Sequence, residues 1–436
     1  MPITKLASHE MHIAYINPEE LKPYKNNART HSDKQIQQIA NSLKQFGFMN
    51  PVLIDSNNRI MAGHGRVEAA KKLGMKEVPV ISSSHLSENQ IRAYIIADNK
   101  IASNAGWDKN LLSIELKELS IETNFDIEIT GFEMAEIDLI IDSDEPQEAD
   151  PADEIPDIDN SPAITKLGDI WQLGQHILIC GNALKNETYD RLLDTERADM
   201  VFTDPPYNVP IDGHVCGNGK IKHAEFAMAS GEMTDAEFYS FLEDFCDKAS
   251  SFSRDGSLHY ICMDWRHIDV LIRAGKEFYA DLKNICVWNK DNGGMGSLYR
   301  SKHELVAVFK HGKKPHINNI ELGKHGRYRT NVWDYKGVNS FGRNQSDLKL
   351  HPTVKPVTMI ADAIKDCTKR GHIVLDPFAG SGSTLIAAEK TGRIARCIEL
   401  DPKYCDVIVR RWQKLTGEEA LNDAFDSFDE VANSKL

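Results

Sequence analysis

Across residues 166–415, short apolar runs alternate with stretches whose apolar residues recur at helical spacing. HILIC, ADMVF, SLHYICM, NICVW, LVAVF, HIVLD and IARCIEL read as buried strands. DAEFYSFLEDFCDKA, PVTMIADAIKDC and GSTLIAAEKTG read as helices. This alternation predicts an α/β sheet whose ligand sites lie beyond the carboxyl ends of the strands. Upstream the pattern changes. SDKQIQQIANSLKQFG predicts an amphipathic helix, with Ile36, Ile39, Ala40, Leu43 and Phe46 on one face, Ser32 and Gln35 as a capping box, and Gly47 as the stop. The strand PVLID, a turn over 56–59, and IMAGHGRVEAAKKLG (strand, glycine loop, short helix) come next. VPVIS is a further strand, and SENQIRAYIIADNK and DKNLLSIELKELS are further helices, completing a compact α+β unit.

Between the two patterns lies SDEPQEADPADEIPDIDNSP, acidic, proline-containing and with little to bury. It predicts an N-terminal domain over 10–142, an acidic linker over 143–165, a larger domain over 166–415 and a polar, fraying tail over 416–436. A chain of 436 residues has room for two or three such domains. The net charge of −14 argues at first against a nucleic-acid partner. Most of the imbalance sits in the acidic stretch, however, while KHGKKPH and KHGRYR make a basic, aromatic-bearing region downstream. No apolar run approaches membrane-spanning length and no secretory h-region opens the chain, so a cytoplasmic, nucleoid-associated protein without a membrane partner is expected. The cysteines form no C-x-x-C pair, and His214, Cys216 and His223 match no common metal-site spacing. No metal is expected.

Two segments carry candidate chemistry. In HIVLDPFAGSGSTLIAAEKTG a strand ends at Asp376, a Gly-Ser-Gly turn follows and a helix opens behind it. The next strand ends at Glu399, about 20 residues on, an offset that suits the ribose hydroxyls of a nucleoside cofactor. The loop lacks the Lys-Ser/Thr ending of a P-loop and the fuller dinucleotide fingerprint, which favours a cofactor without phosphates. The second segment is TDPPYNV, where two prolines stiffen a turn at the end of the strand ADMVF. It is either an ordinary turn or a rigid loop presenting Asp204 and Tyr207.

Taken with HPTVKP, these segments resemble the S-adenosylmethionine-dependent DNA amino-methyltransferases, in the motif order of their β group. The resemblance covers about 165–415. It implies a seven-stranded, mostly parallel methyltransferase sheet beside the smaller α+β domain. It also implies S-adenosylmethionine as cofactor, double-stranded DNA as substrate with base flipping, and a possible homodimer. Carried over, Asp376, Phe378, Gly380 and Gly382 line the methionine side of the cofactor and Glu399 holds its ribose. His351, Thr353 and Lys355 close over its methionine end. Asn182, where the family usually has Asp, lies near the adenine and retains an acceptor oxygen. Asp204, Pro205, Pro206 and Tyr207 form the catalytic tetrapeptide. In it Asp204 and the Pro205 carbonyl accept the two N–H bonds of the target amine, and Tyr207 stacks on the flipped base through its ring rather than its hydroxyl. Asp at the first position resembles adenine-N6 members, whereas cytosine-N4 members more often carry Ser. Target recognition falls in 310–350. Alternatives are a cytosine-N4 enzyme, an RNA or protein methyltransferase, and a DNA-binding protein whose methylase half is degenerate.

The N-terminal pattern resembles the ParB/sulfiredoxin-like domain. There the loop corresponding to Gly63-His64-Gly65-Arg66 binds nucleotide phosphates, so the domain is expected to be either a DNA-binding or scaffolding module with a vestigial loop or one that binds or hydrolyses a nucleotide. His64 stands where sulfiredoxins have a reactive cysteine, so redox chemistry is not implied. Gly65 replaces the first of two arginines usual in partition proteins.

Overall fold

The computed structural model describes residues 11–121, 126–142, 151–153, 162–208, 231–291, 298–322, 329–337 and 354–434. His351, Thr353, His214, Cys216, His223, most of the acidic stretch and parts of 310–350 lie outside the described residues. The chain divides into two compact units, 1–133 and 134–436.

The first unit runs β1 (Ile13–Ile16), α1 (Asp33–Phe46), β2 (Val52–Ile54), β3 (Ile60–Ala62), α2 (His64–Lys72), β4 (Val78–Ser82), α3 (Glu88–Ala102) and α4 (Lys109–Ile121). Helix α1 starts where expected: the Gln35 N–H donates to Ser32 Oγ at 3.2 Å, and Gly47 closes the helix at φ 75°. The four strands pair in the order β1-β4-β2-β3, and Val52, Ile54, Ile60, Val67, Val78 and Val80 fill the core beneath them.

The second unit begins with α5 (Met134–Asp142). The sequence pattern extends the N-terminal domain to 142, but α5 packs with the larger unit instead. Its Asp138 carboxylate accepts from Arg393 Nη2 at 2.8 Å and Nη1 at 3.1 Å, with both side chains buried. Then come β5 (Ile170–Leu173), β6 (His176–Cys180), α6 (Asn186–Leu193), β7 (Ala198–Thr203), α7 (Asp235–Ser251), β8 (Ser253–Met263), α8 (Ile268–Phe278) and β9 (Asp281–Asn289). The remainder is β10 (His303–Lys310), β11 (Val332–Asp334), α9 (Val357–Cys367), β12 (Ile373–Asp376), α10 (Ser383–Thr391), β13 (Ile394–Glu399), α11 (Pro402–Thr416), β14 (Leu421–Asn422) and α12 (Phe428–Asn433).

These strands form one sheet in the order β11-β9-β10-β8-β7-β12-β13-β6-β5-β14. The run β8-β7-β12-β13-β6 is parallel, and β10 pairs antiparallel with both β8 and β9. The expected seven-stranded, mostly parallel sheet is therefore present, with β5 and β14 added at one edge and β11 at the other. The tail expected to fray carries β14 and α12 instead. Phe428 is the physical reason: it is buried against Trp171, with ring centroids 5.1 Å apart. The acidic stretch is also tied down where it is described. The Ala152 carbonyl accepts from Arg411 Nη2 at 2.7 Å, and Asp153 Oδ1 accepts from the Val357 N–H at 2.9 Å. No helix among the described residues is long and apolar enough to cross a membrane.

Candidate active site

Parallel pairing brings two loops together. Leu375 of β12 lies opposite Val201 of β7, so the DPPY loop and the glycine loop leave adjacent strands at the same edge. Asp376, at the end of β12, joins them. Its Oδ1 accepts from Thr203 Oγ1 at 2.8 Å and from the Phe378 N–H at 3.1 Å. Burial pushes its carboxyl up to about 6, against the hydrogen bonds it accepts.

The two glycines of the turn do different work. Gly380 sits at φ 53°, and a Cβ there would meet nothing within 4 Å, so this backbone opens onto free space. Gly382 sits at φ 85° as the N-cap of α10, and a Cβ there would lie 2.9 Å from Ile408 Cγ1. One glycine leaves room for a ligand and the other for a helix. Phe378 packs edge-on to Phe245 of α7, with ring centroids at 5.3 Å. At the end of β13, Glu399 Oε2 accepts from the Gly380 N–H at 2.7 Å and Oε1 from the Asp401 N–H at 2.8 Å. These bonds orient the carboxylate, and burial pushes it up to about 7 despite them. Glu399 pairs with Cys180 of β6, which places Asn182 just beyond the same strand ends. Asn182 Oδ1 accepts from the Leu184 N–H at 2.9 Å, so part of the acceptor capacity assigned to the cofactor is already committed to a local turn.

In the DPPY loop Pro205 is buried, while Asp204, Pro206 and Tyr207 are half-buried. The Tyr207 hydroxyl donates to Asp204 Oδ1. This differs from the expectation that Tyr207 acts through its ring alone. Lys355 departs further from its expected place. Its ammonium lies 2.5 Å from Asp204 Oδ2 and 3.0 Å from Glu304 Oε2, so it faces the DPPY loop. Burial pushes the Asp204 carboxyl up, Lys355 draws it down and Glu304 pushes it up again, leaving it raised. Sequence reasoning also missed Asn208, the residue after Tyr207. At φ 54° its side chain donates to the Met233 carbonyl at 2.8 Å and accepts from the Gly231 N–H at 3.2 Å, securing the exit of the loop.

The comparisons with known proteins agree with this arrangement. The model of the family described as DNA methylase matches residues 198–410, which include both loops and Glu399. Residues 198–410 are a domain of this DNA methylase family. The Type II methyltransferase M2.MboI of Moraxella bovis is 28% identical to this methylase over 225 residues, 50% of this chain and 81% of that protein. A solved structure titled PvuII DNA methyltransferase (cytosine-N4-specific) covers 60% of this chain and 92% of its own, at 17% identity and a TM-score of 0.43.

The methylase also carries a ParB N-terminal domain, matched over residues 4–99. The ParB-like nuclease domain-containing protein YnaK of Escherichia coli (strain K12) is 53% identical over 83 residues, 19% of this chain and 95% of that protein. A ParB-methyltransferase HTH domain matches residues 110–167. Sequence reasoning did not find it; the signal available was the apolar run MAEIDLII after Gly131. In the N-terminal loop, Gly63 is left-handed at φ 101° and His64 Nε2 accepts from the Tyr24 N–H at 3.3 Å. A Cβ on Gly65 would lie 2.9 Å from Ile39 Cδ1, a packing reason for glycine where partition proteins have arginine.

Proposed function

We propose that this methylase transfers a methyl group to the N6 amine of a flipped-out adenine in duplex DNA. The observation that carries the reading is the placement of Asp204 beside the glycine loop, joined to it through Thr203 and Asp376. The residues present fit the cofactor. Gly380 opens onto free space, Glu399 is held by two backbone N–H groups at the neighbouring strand end, and Phe378 and Asn182 flank them. When bound, S-adenosylmethionine supplies a methyl group already activated by its sulfonium.

An exocyclic amine is a weak nucleophile because its lone pair is delocalised into the ring. Asp204 accepts one N–H and the rigid Pro205 carbonyl accepts the other, favouring a more tetrahedral nitrogen. Holding that geometry in line with the methyl carbon is the main contribution of the loop. With S-adenosylmethionine held there, the amine nitrogen would take the methyl group as the carbon–sulfur bond broke with its electron pair left on sulfur, and Asp204 would stand where the amine proton leaves. Tyr207 offers its ring face to the extruded base and its hydroxyl to Asp204. His351 and Thr353 are proposed to close the cofactor site, and residues 310–350 to read the target sequence. Asp at position 204 favours adenine over cytosine. The N-terminal domain is proposed to bind DNA or a nucleotide.

The test is label transfer from methyl-labelled cofactor to duplex DNA, RNA and protein in parallel. Incorporation into DNA alone is expected. Incorporation into RNA or protein without DNA overturns the substrate assignment.

A further inference from the structure

The loop chemistry leaves a buried charge network without a role. Glu304 stands at the start of β10, opposite Trp288 of β9. Its Oε1 accepts from Lys290 Nζ at 2.6 Å, and its Oε2 faces Lys355 Nζ at 3.0 Å. Lys355 reaches on to Asp204 at 2.5 Å. Lys355 and Glu304 are 5% and 8% exposed. Both ammoniums approach the Trp288 ring, Lys290 at 4.6 Å and Lys355 at 5.9 Å from its centroid. Its Nε1 donates to the Tyr335 carbonyl at 2.9 Å, which fixes the ring. Asp204, Lys355, Glu304 and Lys290 thus alternate in sign, with the middle two buried and the outer two half-buried.

We propose that Glu304 and Lys355 are positioning residues for methyl transfer: Lys355 holds the Asp204 carboxylate, and Glu304 keeps Lys355 from neutralising it. This rests on the function proposed above. Ion pairs taken out of water are a poor source of stability compared with apolar packing, so their burial beside the reacting atoms calls for another reason. Methyl transfer supplies one. As the nitrogen–carbon bond forms, positive charge moves from the sulfonium towards the amine nitrogen, hence towards Asp204. With Lys355 alone as its neighbour, Asp204 belongs to a neutral pair and draws that charge weakly. Glu304 makes the inner triad net negative, so the field favours the transition state more than the ground state. Lys290, on the outer side of Glu304, keeps it ionised; burial pushes the Glu304 carboxyl up, but Lys355 and Lys290 hold it down at about 2.

The other groups facing this network are Tyr207 on the DPPY loop, Cys262 on β8 and Asp376 on β12. Burial and the Asp204 and Glu304 charges keep the Tyr207 phenol protonated, and burial does the same for the Cys262 thiol. Asp204, which both Lys355 and Glu304 face, is the member whose titration reads out Glu304.

The experiment is the pH–rate profile of Glu304→Gln beside wild type on methylatable duplex DNA, with cofactor binding measured on both. Gln keeps the shape and removes the charge. The expected result is a kcat lower by on the order of tenfold, KM for DNA and cofactor affinity within about twofold, and the acidic limb of the profile moved to lower pH. The sign comes from the charges: without Glu304, Asp204 loses a neighbour that raises it. Lower activity with an unmoved acidic limb means a structural role only and overturns the proposal. So does a Glu304→Gln enzyme indistinguishable from wild type, which leaves the methyltransferase reading intact. A wild type that methylates no DNA overturns the reading and the proposal together.

Discussion

Asp204 accepts from Tyr207 and faces the Lys355 ammonium, so groups of the chain itself orient its carboxylate. Asp204→Asn keeps the shape but replaces one acceptor oxygen with a donor. We expect methyl transfer to fall at least about a hundredfold in kcat while cofactor affinity, measured by calorimetry, stays near wild type. The hydroxyl contact changes the expectation for Tyr207. Tyr207→Phe should cost about tenfold in kcat through one lost charge-assisted hydrogen bond, and Tyr207→Ala should cost more by losing the stacking face as well. Equal losses in the two variants would remove the ring from the mechanism. Glu399 makes a pH prediction. Its folded carboxyl titrates at about 7, above the ordinary 4.5. Its contribution to stability is thus fully present below pH 4.5 and is lost as pH rises through about 7. In thermal melts of cofactor-free protein, the lead of wild type over Glu399→Gln should narrow between pH 5 and pH 8. Which residues were legible depends on distance in the chain. Asp204, Tyr207, Asp376 and Glu399 each sit in a short motif with its own strand end. Glu304 has no local signal: its role depends on the pairing of β10 with β8 and β9 and on a lysine 151 residues from Asp204.

At the scale of elements, the glycine loop makes a prediction in two opposite directions. Gly382→Ala introduces a left-handed alanine and drives its Cβ to 2.9 Å from Ile408, so it should destabilise the protein by roughly 2 kcal/mol or more in urea unfolding. Gly380→Ala meets no atom within 4 Å and should cost only about 1 kcal/mol, yet weaken cofactor binding more, because its methyl enters the open space beside Glu399. The opposite ranking would place the cofactor elsewhere. The strands of the parallel core were legible because their apolar runs are short, continuous and bounded by turn residues. Elements held by tertiary contacts were not. The two-residue β14 and the short α12 have too little periodicity to announce themselves, and they exist because Phe428 finds Trp171. Helix α5 was legible as an apolar run, but its allegiance is decided by Arg393, far along the chain.

At the scale of the molecule, the start of the catalytic unit is testable by truncation. A fragment beginning at Met134 keeps α5 and the buried Asp138–Arg393 pair, whereas one beginning at 143 leaves Arg393 without that carboxylate. Removing one member of a buried pair costs about 3–5 kcal/mol, so the longer fragment should unfold at clearly higher urea concentration, with Asp138→Ala in the full chain reproducing the loss. Equal midpoints would put the boundary where the acidic stretch begins. The net charge of −14 was misleading at this scale, because the acidic residues cluster in one stretch and say nothing of the surfaces the domains present. The central claim, that the DPPY loop methylates adenine, is tested most directly by nucleoside mass spectrometry. Duplex DNA of mixed sequence is incubated with S-adenosylmethionine and either wild type or Asp204→Ala, then digested. N6-methyladenine from wild type and none from the variant is the predicted result; N4-methylcytosine alone, or unmodified DNA, would contradict it.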